Sequence, residues 1–101
     1  LPIITVIFNN QVLGMVRQWQ NLIYGKRFSE TTLDRGPDFV KLAEAYGAEG
    51  YRIMTEEELA PTLKKALASP NTAIIDVVVE PEEDVYPMVP AGASLDEMLL
   101  V

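Results

Sequence analysis

A chain of 101 residues, 49% hydrophobic and 23% charged, is long enough for one modest core and too apolar to be disordered. It has no cysteine and no histidine, which excludes disulfides, thiolate or imidazole metal ligands, thiol nucleophiles and a histidine general base within these residues. A net charge of −7 argues against a nucleic-acid partner, which needs clustered Lys and Arg, and no apolar run approaches the ~18 residues of a membrane span.

Residues 3–8, IITVIF, form a continuous β-branched run, the pattern of a parallel strand covered on both faces. Asn9 and Asn10 follow. Val12, Met15, Val16, Trp19, Leu22 and Ile23 then recur at three- and four-residue spacing, which predicts an amphipathic helix ending near Gly25. Residues 25–36, GKRFSETTLDRG, lack periodicity and read as a long loop of the kind that is usually functional or mobile. Pro37 suits the first position of a second helix, with Asp38 in its first turn and Phe39, Leu42, Ala43 and Tyr46 as its buried stripe. Gly47 closes it. YRI at 51–53 is a short strand. Thr55 and Glu58 make a capping box for a third helix along Leu59, Leu63, Ala66 and Leu67, kinked or delayed by Pro61. TAIIDVVV, 72–79, is the clearest strand.

The order β-α-α-β-α-β predicts an α/β fold: three layers, α/β/α, around a parallel sheet with right-handed crossovers. Three strands leave an open apolar edge, an aggregation hazard unless further strands complete it. With the opening residue Leu1 rather than methionine, this predicts a piece of a longer polypeptide. The predicted division is a sheet domain over 1–79 and a tail over 80–101. The tail, EPEEDVYPMVPAGASLDEMLLV, has three prolines and an acidic cluster and cannot continue the sheet. Its apolar residues Val85, Tyr86, Met88 and Val89 predict that it packs back onto something, and Ser94 with Glu97 forms a second capping box.

Charge is uneven. Residues 1–35 hold four basic side chains against two acidic ones, the rest four against thirteen. Two ordinary solvated faces account for this, and so does a first third that faces an anion.

In open parallel sheets, ligands bind beyond the carboxyl ends of the strands. Asn9 and Asn10 stand there. An asparagine side-chain carbonyl is a hard oxygen ligand for Mg²⁺, and the helix N-terminus around Leu13 and Gly14 suits a phosphate. Asparagine in a turn or helix cap fits the same positions.

The stretches NNQVLGMVRQWQNLIYGKRFSET, PDFVKLAEAYG and VYPMVPAGASLDEML closely resemble the C-terminal end of acetolactate synthase large subunits, over essentially the whole chain. Asn-Asn is shared by thiamine-diphosphate enzymes at large; GMVRQWQ with VYPMVPAGA is more specific. The resemblance implies a thiamine-diphosphate-binding fold of which this chain is a part. It implies Asn10 as a Mg²⁺ ligand through its side chain and Val12 as one through its main-chain carbonyl. The backbone of Gln11, Val12, Leu13, Gly14 and Met15 would lie along the diphosphate. Met15, Val16 and Trp19 match positions lining the substrate entrance, although helix-stripe packing would also explain Met15 and Trp19. The tail would cover the active site. The parent is implied to be a cytoplasmic, FAD-containing carboligase of branched-chain amino-acid biosynthesis that condenses pyruvate with pyruvate or 2-ketobutyrate. FAD would not be bound by this chain. A homo-oligomer and a small regulatory subunit are implied partners, and neither nucleic acid nor membrane is. The family's Gly-Asp-Gly, with its metal-binding aspartate, is absent from these residues, as is the glutamate that activates the cofactor. The isolated chain is therefore expected to be inactive. Two other readings stand beside this one: another thiamine-diphosphate carboligase or decarboxylase, and a non-catalytic binding or assembly module.

Overall fold

The computed structural model describes residues 1–100, which form two compact units. The first comprises Leu1–Gln11 and Leu33–Glu80. Its centre is a parallel three-stranded sheet in the order β1-β3-β2, with β1 at Ile4–Asn9, β2 at Glu49–Ile53 and β3 at Ala73–Val78. Both outer strands start level with Ala73, opposite Ile4 on one side and Glu49 on the other. This is the predicted parallel α/β arrangement.

Side chains alternate across the sheet, so register decides which helix each one meets. Ala73 and Ile75 of β3 and Ile53 of β2 are buried on one face with Ala66, and Ile4, Tyr51, Leu63 and Val77 pack around them. Leu63 and Ala66 belong to helix α3, Leu59–Ala68. Helix α2, Phe39–Ala45, covers the other face, where Val40 lies over Gly50 of β2. A methyl group on Gly50 would sit 2.7 Å from the Val40 carbonyl oxygen and 2.9 Å from its Cα. Backbone cannot yield as a side chain can. Gly50→Ala is therefore expected to destabilise the fold by about 1–3 kcal/mol, the usual range for overpacking. An unchanged denaturation midpoint would contradict that close approach.

Three local expectations need correction. Pro37 does not open α2: Asp38 is the cap, its carboxylate accepting the N–H groups of Val40 (3.1 Å) and Lys41 (3.2 Å). The stripe of α2 is narrower than its spacing suggests, with Ala43 fully buried but Tyr46 84% exposed. The Thr55–Glu58 box does not form either. The Thr55 hydroxyl donates to the Glu58 carboxylate instead (3.1 Å), and a 3₁₀ turn over Glu56–Glu58 precedes α3. Pro61 then falls in the first turn of α3, where its missing N–H breaks no helical bond.

The second unit comprises Val12–Thr32 and the chain from Pro81 onward. Its helix α1, Gly14–Leu22, buries the opposite side from the one its spacing predicts. Gln18 is 1% exposed, whereas Met15 is 56% and Val16 51% exposed. The cause is polar. The Gln18 amide donates to the Val85 carbonyl (2.9 Å) and accepts the Val85 N–H (3.1 Å), so one side chain satisfies both backbone groups of a tail residue. Arg17 pairs with Glu82 and stacks over the Phe28 ring, 4.0 Å from its centre. The tail packs back as expected. It folds on itself through an antiparallel bridge between Met88 and Leu99 (3.0 and 2.7 Å) and a 3₁₀ turn over Leu95–Glu97 held by the predicted Ser94–Glu97 capping box.

Candidate functional site

The three strands of the first unit deliver polar side chains to one face at their carboxyl ends. Asn9 closes β1, Arg52 precedes the last residue of β2, and Asp76 lies opposite Arg52 in the middle strand. Asp76 is 2% exposed. Its carboxylate accepts the Asn9 side-chain amide (3.0 Å) with one oxygen and the Arg52 Nε–H (3.2 Å) with the other. Arg52 also reaches Asp38 through Nη2 (2.7 Å). These groups, with Gln11 and Met54, border a cleft of about 510 Å³.

The chain of contacts ties the cap of α2 to the end of β1. The Lys41 backbone N–H, with the Arg52 guanidinium after it, holds the Asp38 carboxyl below its ordinary value of 3.8. Asp38 and then Asp76 push the Arg52 guanidinium above its ordinary value. A carboxyl depressed on folding contributes stability that is complete above its unfolded pKa, ~3.9, and fades as pH falls through its lower folded value. Acid titration should therefore leave the start of α2 intact at pH 5 and loosen it below about pH 4. Protection of the Val40 and Lys41 amides, taken relative to intrinsic exchange at each pH, that did not fall over that interval would contradict this role for Asp38.

Asn9 has a further contact. Its side-chain carbonyl accepts the Gln11 N–H (3.1 Å), and Gln11 takes a left-handed conformation at φ 58°. Asn9 is thus a turn former, the simpler of the two roles its residue type suggested. Asn10, half-buried, lies between these two residues.

The remaining candidates belong to the second unit. Val12 is 8% exposed and bridges Thr32. The Leu13 N–H is engaged by the Thr31 carbonyl (2.8 Å), and the first helical bond of α1 runs from Arg17 N–H to Leu13 (2.9 Å). Helix α1 has no side-chain cap and no acidic residue in its first turn. Its first N–H groups, those of Gly14, Met15 and Val16, have no intrahelical acceptor and retain the positive end of the helix dipole. This sets α1 apart from α2, where Asp38 occupies the corresponding position. Such an end fits a phosphate oxygen. Met15, Val16, Trp19, Gln20, Tyr24 and Arg27 line an apolar groove of about 530 Å³ in the same unit.

No cluster of three or more acidic, histidine or cysteine residues that could hold a metal occurs among the described residues. Sequence reading missed Asp76 and Arg52. The signal was there: a lone carboxylate inside AIIDVVV is a charge that a buried strand must pair. No helix among the described residues is long and apolar enough to cross a membrane.

Comparison with known proteins follows the same lines. The family model for the thiamine pyrophosphate enzyme C-terminal TPP binding domain matches residues 1–77. The acetolactate synthase large subunit of Haemophilus influenzae is 44% identical over 101 residues, covering 99% of this chain and 18% of that protein. The acetolactate synthase isozyme 2 large subunit of Escherichia coli is 44% identical over 99 residues, 98% of this chain and 18% of its own length. The mitochondrial acetolactate synthase of Schizosaccharomyces pombe is 42% identical over 100 residues, 99% of this chain and 15% of its own. The chain thus spans less than a fifth of each of these relatives. With the family model matched along most of its length, the chain belongs to the thiamine pyrophosphate enzymes, in their C-terminal TPP-binding domain.

Proposed function

We propose that this chain is part of the catalytic subunit of an acetolactate synthase, which joins pyruvate to a second pyruvate or to 2-ketobutyrate. The observation that carries the reading is the N-terminus of α1, uncapped and without an acidic residue, a few positions after Asn9 and Asn10. It supports placing the diphosphate at the amides of Gly14 and Met15, along the segment from Gln11. The Asn10 side chain and the Val12 carbonyl would hold Mg²⁺, with a carboxylate supplied by the rest of the subunit. When bound, thiamine diphosphate supplies the decarboxylation and carbon–carbon bond-forming chemistry. This chain's own residues anchor it, shape its surroundings and exclude water.

The exposure of Met15, Val16 and Trp19 supports their assignment to the substrate entrance, since a stripe packed in a core would be covered. Residues 1–79 form the cofactor-binding part in this reading, and the tail from residue 80 covers the active site. FAD, a homo-oligomer, a small regulatory subunit and a cytoplasmic location belong to the same proposal, and none of them rests on a residue of this chain.

The test is Asn10→Ala in the full-length catalytic subunit. Loss of a direct ligand is expected to weaken Mg²⁺ at least as much as loss of an outer partner does, which is about tenfold or more. Calorimetric titration with Mg²⁺ in the presence of thiamine diphosphate reads it out. Unchanged affinity in a folded variant would remove Asn10 from the metal site and the proposal with it.

A further inference from the structure

We propose that Asp76 is a positioning residue for the metal-binding asparagine, acting through Asn9. This rests on the reading of Asn10 given above and adds residues to it. Asp76 is the one carboxylate of β3, 2% exposed, and 67 positions from Asn9 along the chain. An asparagine amide can present either its oxygen or its nitrogen in a given direction. Here the orientation is decided by what surrounds it. Asp76 accepts the Asn9 Nδ2–H, so the Asn9 Oδ1 must point the other way, toward the Gln11 N–H. That bond holds Gln11 at φ 58°, a conformation costly for a residue with a Cβ and kept only where the surroundings insist on it.

Asn10 is the residue between the two ends of this bond. Its backbone direction, and hence where its side chain leaves the chain, follows from the turn that Asn9 and Gln11 close. Arg52 completes the device, since its Nε–H fills the second oxygen of Asp76 and keeps the carboxylate from turning away from Asn9. A carboxylate in a buried strand thus sets the aim of a neutral ligand just beyond the end of the neighbouring strand.

The hydrogen-bond pattern allows a test that separates positioning from bulk stability. Asp76→Asn leaves one acceptor oxygen for two donors, the Asn9 amide and the Arg52 Nε–H, and the turn loses its fixed orientation. Asn9→Asp alone sets two carboxylates against each other. The double variant Asn9→Asp with Asp76→Asn restores every bond: the carboxylate at position 9 accepts both the Gln11 N–H and the new amide, whose oxygen accepts Arg52. The measurement is Mg²⁺ affinity by calorimetry on the full-length catalytic subunit saturated with thiamine diphosphate, with thermal unfolding followed in parallel. Each single variant is expected to bind Mg²⁺ about tenfold or more weakly, the usual effect of losing an outer partner of a metal ligand. The swapped pair is expected to regain most of that affinity.

Native Mg²⁺ affinity in folded Asp76→Asn, while Asn10→Ala loses it, would overturn the positioning role and leave the metal site standing. A double variant as weak as the singles would also overturn it. Native affinity in Asn10→Ala would overturn the metal assignment itself.

Discussion

Asp76→Ala is expected to destabilise the first unit by about 2–4 kcal/mol. The substitution removes the carboxylate on which Asn9 and Arg52 converge and leaves both donors without their acceptor. Breaking a buried pair by deleting one partner typically costs 3–5 kcal/mol. Arg52 keeps 39% of its side-chain surface in water and retains Asp38, which lowers the figure. Denaturant unfolding of the variant beside Asp76→Asn gives the comparison. The alanine should be the worse of the two, because the asparagine still offers one acceptor. Equal stability of Asp76→Ala and the unaltered chain would mean that the carboxylate is not what holds the strand ends together.

Gln18→Leu is expected to detach the tail around Val85. Leucine matches the volume of glutamine and has better helix propensity, so α1 itself should persist. What is lost is the pair of bonds to the Val85 N–H and carbonyl. Val85 is 58% exposed, so each lost bond counts at its net value of about 0.5–1.5 kcal/mol. Release of the segment into water is the cheaper outcome, so local opening should become easier by roughly 1–3 kcal/mol. Amide exchange at Val85 accelerated about tenfold or more would report this, since 1.4 kcal/mol is a factor of ten. Exchange no faster than in the unaltered protein would show that the tail is held by something other than Gln18.

These two residues also mark where reading the sequence succeeds and where it stops. Two strands were legible because IITVIF and TAIIDVVV are continuous β-branched runs, and both fall within one residue of their expected bounds; β2 starts at Glu49, two residues before the expected Tyr51. The tail's return was legible in outline from Met88 and Val89, apolar residues that end half-buried, whereas Val85 stays 58% exposed and is held by its backbone. The burial of α1 was not. Spacing identifies the apolar side of a helix, but the rule that this side faces inward assumes a partner within the same chain. Here a polar residue faces inward because a backbone segment 67 positions away needs its amide. The Asn9–Asp76–Arg52 network was hidden for a related reason. It depends on strand register across separations of 67 and 24 residues, which no local pattern encodes. Asn10, Val12 and the turn between them were singled out by residue type and resemblance; the sequence held no sign of the carboxylate beneath Asn9 beyond its oddity within an apolar strand.

The order of strands in the sheet has a consequence for the birth of the protein. The central strand is the last to be synthesised, and among the described residues β1 and β2 pair only with it. As the polypeptide leaves the ribosome, IITVIF precedes the strand it pairs with here, Ala73–Val78, by 69 residues in register. Contacts of that span form slowly, because a long loop must close before any of them is rewarded. During that interval a continuous β-branched stretch lacks its central partner, and such segments are what chaperones bind. Translation that stalls within α3 should therefore leave β1 and β2 without the strand that joins them, and the product prone to join its neighbours.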